Sequence, residues 1–262
     1  MFKAIKSGLY IVSISTNLRE LQLKTPVYRW LPIFDRKIRI TILGNTGVGK
    51  TTLIDRMKGT DVKTVVSEKT LDINIEEKNI RLQSSESYPW YHPEKYRRYR
   101  IRAIDNPGEY TLRRHWREVL RNFTTDGMLF LLDPQQSVEI QRGAMEDAYN
   151  YFLDSLDLDP DKADNKAKSK KYIFHFVVNK CDTFKTDKST DFIQTPKIKE
   201  DAVEFLSIFG PIIDAFKETF PLSKFGISYL SALYSPYNEI DKLFEIFKVY
   251  IFQSESYPTI LE

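Results

Sequence analysis

The stretch Gly44-Asn45-Thr46-Gly47-Val48-Gly49-Lys50-Thr51 constrains this chain more than any other. Its spacing, G-x-x-x-x-G-K-[ST], is that of a loop whose backbone N–H groups curl inward around a phosphate. The glycines let the chain turn that tightly and leave room for the ligand. The flanks agree. Ile38-Arg39-Ile40-Thr41-Ile42-Leu43 reads as a buried strand, and Thr52-Leu53-Ile54-Asp55-Arg56-Met57 reads as a helix start. Strand, glycine loop and helix in succession predict an α/β protein with a mostly parallel, doubly wound sheet and helices on both faces. Its ligand is expected at the carboxyl ends of the strands. Gly44, Asn45, Thr46, Gly47, Val48, Gly49 and Thr52 are expected to form the cradle. Lys50 is placed to reach the β- and γ-phosphates, and the Thr51 hydroxyl to ligate Mg²⁺.

Three further segments define what the phosphate belongs to. Ile173-Phe174-His175-Phe176-Val177-Val178 is a second strand-like run, and it ends in Asn179-Lys180-Cys181-Asp182. This resembles the N-K-x-D signature of GTP-binding proteins. A carboxylate at Asp182 can accept from both the ring N1–H and the exocyclic amine of guanine; adenine lacks that donor pair and would leave the carboxylate unpaired. Asn179 is expected to tie this loop to the phosphate loop, and the stem of Lys180 to lie over the base. Tyr99-Arg100-Ile101-Arg102-Ala103-Ile104 leads into Asp105-Asn106-Pro107-Gly108, a D-x-x-G match in which Asp105 would hold Mg²⁺ through water and the Gly108 N–H would sense the γ-phosphate. Ser231-Ala232-Leu233, after the strand-like Gly226–Leu230, resembles the S-A-x loop that backs the guanine.

Four motifs in this order resemble the Ras-like small GTPases, which have the P-loop NTPase fold. The run from Glu109 through Trp116, followed by Gly127-Met128-Leu129-Phe130-Leu131-Leu132-Asp133, is most similar to the Arf/Sar family and the signal-recognition-particle receptor β subunit. Those proteins share an Arg and a Trp after the switch and then such a strand. The resemblance covers roughly residues 38–133 and 172–235, and implies GTP and GDP as ligands with Mg²⁺. It also implies a switch threonine on Mg²⁺; Thr70, ahead of the alternating Leu71-Asp72-Ile73-Asn74-Ile75 strand, is the choice and Thr64 the rival. Trp116 is expected to be a helix-packing anchor. One departure matters: Glu109 stands where many such proteins carry a Gln that orients the attacking water. A carboxylate opposes the phosphate charge, so Glu109 and Lys50 are the catalytic candidates and hydrolysis is expected to be slow. Arg113, Arg114 and His115 could supply charge in cis, but Arg113 and Arg114 read first as an exposed helix start.

Residues 1–36 form an N-terminal extension and 37–262 a GTP-binding domain with insertions near 83–98, 154–171 and 183–220. The extension carries Phe2, Ile5 and Leu9 at helical spacing beside Lys3 and Lys6. That pattern suits either an anionic membrane surface or docking on the domain itself. The 83–98 insertion is aromatic and basic, a composition typical of protein interfaces. Residues 154–171 are acidic and then basic; the spaced carboxylates at Asp157, Asp159 and Asp161 miss a calcium loop because Lys162 stands at the glycine position. Thr183–Lys199 reads as a loop, Glu200–Phe220 as one helix and Asn238–Phe252 as a closing helix.

Thirty-nine basic against 36 acidic residues argue against obligate nucleic-acid binding, and the single Cys181 sits where the motif tolerates many residues. No apolar run is long enough to span a bilayer. These features lead us to expect a cytoplasmic, or membrane-peripheral, GTP-dependent switch that acts on a protein effector or regulator. A GTP-binding scaffold with little hydrolysis and a ribosome-associated GTPase are the alternatives.

Overall fold

The computed structural model describes residues 36–59, 73–81, 98–122, 125–156, 171–184, 196–236, 239–244 and 246–247. Thr64, Thr70, the N-terminal extension before Arg36, the aromatic insertion before Arg98 and the acidic–basic stretch 157–170 lie outside these residues. The chain divides into two compact units, Met1–Lys37 with Asn79–Arg100, and Ile38–Lys78 with Ile101–Glu262. In the first, the described residues are strand ends alone. The second holds all the sequence motifs.

Six strands form one sheet in the order β2-β3-β1-β4-β5-β6: β1 (Arg36–Leu43), β2 (Asn74–Arg81), β3 (Arg98–Asp105), β4 (Gly127–Leu132), β5 (Ile173–Val178) and β6 (Lys224–Tyr229). β1 pairs parallel with β4 (Leu43 opposite Phe130), β4 with β5 (Leu132 opposite Val178) and β5 with β6 (Val178 opposite Tyr229). All four carboxyl ends therefore reach the same edge. Central parallel strands are covered on both faces and read as continuous apolar runs. Every residue of β4 and β5 is buried accordingly.

Helices α1 (Lys50–Lys58), α2 (Arg114–Asn122), α3 (Val138–Ser155), α4 (Pro196–Ser207) and α5 (Gly210–Thr219) complete a doubly wound α/β unit with helices on both sides of the sheet. On one face Trp116 and Leu120 of α2, Phe152 of α3, Leu206 of α4 and Phe216 of α5 enclose Phe130, Phe174 and Phe176. The rings meet edge-on or tilted, with Phe174 4.9 Å from Phe216 and 5.2 Å from Phe152, the arrangement aromatic quadrupoles favour. His175 points to the other face, where its ring lies 6.1 Å from that of Phe247, one of the helical residues 246–247. There Nε2 bonds to Ser228 Oγ at 2.8 Å, and Nδ1 has no hydrogen-bond partner among the described residues. Burial pushes the His175 pKa down to about 4. A side chain at Gly226 would collide with this imidazole.

Several boundaries differ from the sequence reading. β2 begins at Asn74, so Ile73 of the expected alternating strand stands before it, while Leu71 and Asp72 lie outside the described residues. Helix begins at Pro196, inside the expected loop, and the single helix expected over Glu200–Phe220 is two. The break is at Ile208-Phe209: Phe209 caps the second helix, and Pro211 sits in its first turn, where the missing N–H has no partner to lose. Phe209 turns the corner, donating its N–H to Leu206 and accepting from Ile212 and Ile213, while its ring is buried. α3 continues to Ser155, so the insertion after it starts later than Asp154. Among the described residues, no helix is long and apolar enough to cross a membrane.

Candidate functional site

The loop after β1 adopts left-handed conformations at Gly47 (φ 77°) and Gly49 (φ 92°), which aim successive N–H groups to one side. A side chain at Gly49 would be strained and would also strike the Asn179 amide. Lys50 opens α1 and is only 6 % exposed. Its ammonium donates to the carbonyls of Gly44 and Asn45, each at 2.9 Å. Burial lowers its pKa from 10.5 to about 8, against an opposing pull from Asp105 and with a further push from Arg113. A desolvated cation bonded to neutral carbonyls at the start of a helix favours an anion beside it.

The end of β3 supplies the other half of the expected phosphate site. The Thr51 hydroxyl donates to Asp105 Oδ2 at 2.8 Å, which brings together the two oxygens expected around Mg²⁺. A hydroxyl and a carboxylate form a hard oxygen pair, and Mg²⁺ keeps its remaining positions for water and substrate phosphate. Among the described residues no three His, Cys, Asp or Glu side chains gather into a metal cluster, which such a site does not need. Asn106 anchors the D-x-x-G turn by donating to the carbonyls of Ile42 (3.2 Å) and Ile104 (3.0 Å). A Cβ on Gly108 would overlap the backbone of Asn45 and Thr46, so glycine there lets the turn lie flush against the phosphate loop.

The expected base end is assembled from the β5 and β6 loops. Asn179 joins three segments: its Nδ2 donates to Val48 O at 2.7 Å, and its Oδ1 accepts from the Ala232 N–H at 2.7 Å. Lys180 has φ 56°, uncommon for a residue with a side chain. Its ammonium donates to Asp133 Oδ2 at 2.6 Å, which stretches the stem along the site. Asp133 is itself fixed: its Oδ1 accepts from the Gln135 N–H at 2.9 Å, and Gln141 bonds both its N–H (2.7 Å) and its C=O (2.9 Å). Asp182 sits in the short 3-10 turn Cys181–Phe184. The Cys181 thiol is buried, donates to Val178 O at 3.2 Å and has its pKa pushed up to about 12, so it is no nucleophile.

These parts surround a cavity of about 530 Å³ lined by Thr46, Gly47, Gly49, Lys50, Thr51, Thr52, Gly108, Asn179, Lys180, Asp182, Ser231, Ala232 and Leu233, together with Gln135 and Thr183. Gly44, Asn45 and Val48 are buried and do not line it, and Asp105 is linked to it through Thr51. Glu109 does not line it: the residue is exposed, with the Thr111 hydroxyl 3.4 Å from its Oε1.

The expectation for Arg113 is overturned. It is no exposed helix start but is 3 % exposed. Its Nη2 donates to Asn45 Oδ1 at 2.6 Å and its Nη1 to Asp147 Oδ2 at 2.7 Å, with the guanidinium 5.7 Å from the Trp116 ring centre. Arg114 beside it is exposed. Trp116 is the expected anchor: fully buried, its indole N–H donates to Pro107 O at 2.7 Å. The sequence reading also missed Gln136, whose amide donates to Thr46 O at 2.8 Å, and the Asp133–Lys180 pair. Polar residues after β4, where parallel sheets bind ligands, were the available signal for both.

The profile of one family, described as 50S ribosome-binding GTPase, matches residues 39–180. Comparison with curated proteins gives no match.

Proposed function

The chain belongs to the 50S ribosome-binding GTPase family, and on that footing we propose that it is a guanine-nucleotide switch that binds GTP and GDP with Mg²⁺, hydrolyses GTP slowly and acts on a protein partner. The observation that carries this reading is the pair of hydrogen bonds at Asn179, donated to Val48 O and accepted from Ala232 N–H, because it ties the phosphate loop to the two base loops. Lys50 takes the phosphate charge, Asp182 reads the guanine edge, and the Lys180 stem covers the base while Asp133 holds its head. Thr51 and Asp105 are the oxygens that would hold Mg²⁺, which when bound offsets charge on the phosphate oxygens. Gly108, pressed on the phosphate loop, is the point at which the γ-phosphate is felt; Thr70 is the proposed second contact. Slow turnover follows from Glu109, which stands where many such proteins carry the water-orienting Gln, lies outside the cavity lining and cannot donate to phosphate. Single-turnover hydrolysis should accelerate in Glu109→Gln; an unchanged rate removes Glu109 from the mechanism and leaves the scaffold reading.

The Arf/Sar likeness of the segment from Glu109 to Asp133 supports a switch that works at a membrane or on a protein partner. It also supports a cytoplasmic site of action, with residues 1–36 as the membrane-facing candidate. The family's description favours a second reading, association with the ribosome. Co-sedimentation with large ribosomal subunits in GTP but not GDP supports it, and equal behaviour in both nucleotides argues for the first.

A further inference from the structure

We propose that Arg56 is a specificity-determining positioning residue: it braces the base-contact loop 231–235 from the phosphate-binding helix, so that guanine selectivity depends on it. This rests on the guanine-nucleotide reading of the cavity and adds a residue to which no motif points.

Arg56 lies in the last turn of α1, the helix whose first residue is Lys50. With a rise of about 1.5 Å per residue, it sits roughly 9 Å down the axis from the phosphate end. It is only 5 % exposed. Its Nη1 donates to the carbonyl of Leu233 at 3.3 Å, and its Nη2 makes a short bond to the carbonyl of Ser235. Both acceptors belong to the turn that follows β6. That turn is bonded to itself: the Ser231 N–H donates to Ser235 Oγ at 3.0 Å, the Ser235 N–H to Ser231 O at 2.8 Å and the Tyr234 N–H to Ser231 Oγ at 3.2 Å. These bonds tie it into one piece, and among the described residues two side chains outside it, Asn179 and Arg56, bond to it. Asn179 holds the Ala232 N–H on the cavity side. Arg56 holds the Leu233 and Ser235 carbonyls on the far side.

The planar guanidinium suits this role, because its donors diverge from one rigid plane onto two carbonyls at once. An ammonium on a flexible stem holds one carbonyl well and the other poorly. Desolvating a cation is costly, and an apolar side chain of similar volume would fill the same space more cheaply. The charge is retained for where it puts the loop. Ser231, Ala232 and Leu233 line the cavity, and none of the hydrogen bonds of the turn given above goes to Lys50, Thr51 or Gly108. Loss of the brace should therefore fall on base recognition and spare phosphate recognition.

The test is equilibrium binding of GDP and ADP, with Mg²⁺, to the full chain and to Arg56→Gln and Arg56→Lys. ADP shares the phosphates and ribose and lacks the guanine edge. Arg56→Gln should weaken GDP at least tenfold, which is about 1.4 kcal/mol, while ADP binding stays within a factor of two or so. Arg56→Lys should recover part of the loss. An equal loss for both nucleotides, or no change for either, overturns the role of Arg56. If Arg56→Gln does not fold by circular dichroism, the Lys variant decides by the same ratio. Failure of the parent chain to prefer GDP over ADP overturns the guanine reading instead, and is seen in the same titration.

Discussion

Replacing Lys50 with methionine should remove nucleotide binding and yet stabilise the empty protein. The ammonium is buried, and its pKa falls from 10.5 to about 8. A shift of about 2.5 units corresponds to roughly 3 kcal/mol at about 1.4 kcal/mol per unit. In the window between pH 8 and pH 10.5 the unfolded chain carries this proton and the folded chain does not. Stability therefore rises with pH across that window, and below it the full penalty applies. Methionine removes the penalty but leaves the Gly44 and Asn45 carbonyls without their donor, a loss of about 1 kcal/mol each. The net gain near neutral pH is then on the order of 1 kcal/mol. The stability difference between parent and variant is the sharper quantity, since other titrating groups cancel in it. Urea melts of both nucleotide-free proteins at several values from about pH 7 to about pH 10 measure it. The parent should gain on Lys50→Met by about 2 to 3 kcal/mol over that range. A difference that stays constant with pH would show that Lys50 is not held under strain in the empty site, and would refute the reasoning.

Two further perturbations follow the same logic. His175 has its pKa lowered to about 4 by burial, so the unfolded chain takes up a proton first and stability should fall as pH drops from about 6.5 towards 4; His175→Gln should flatten that slope by up to about 3 kcal/mol in acid denaturation. Gly108→Ala forces a methyl group into the backbone of Asn45 and Thr46, so it should weaken GTP far more than GDP in competition binding, because the turn must lift from the γ-phosphate; equal weakening of both would contradict the placement of Gly108.

The sequence made the phosphate loop and the guanine motif legible for a physical reason. A loop that curls around a phosphate needs glycine, lysine and threonine at fixed spacing, and a carboxylate that reads guanine needs a strand end beneath it. Asn179 was legible too, because its partner Val48 lies in the loop it was expected to reach. What stayed hidden depends on distant partners. Arg113 and Arg114 are the same residue type side by side, yet one is buried against Asn45 and Asp147 while the other faces solvent. No local pattern separates them. Lys180 was expected over the base, but its anchor Asp133 read only as the end of a strand. Arg56 was read only as part of the helix start after the phosphate loop, and its acceptors lie on a loop far along the chain. The split between α4 and α5 falls at Ile208-Phe209, both apolar, so the hydrophobic pattern runs through it unbroken.

The central claim is that the cavity between Lys50 and Asp182 holds a guanine nucleotide. The most direct measurement is to incubate the purified chain with GTP or ATP and Mg²⁺, remove free nucleotide and identify what stays bound by chromatography over hours. The account predicts near-stoichiometric guanine nucleotide with slow conversion of GTP to bound GDP, and no retained ATP. Empty protein after GTP loading, or equal retention of ATP, would contradict it.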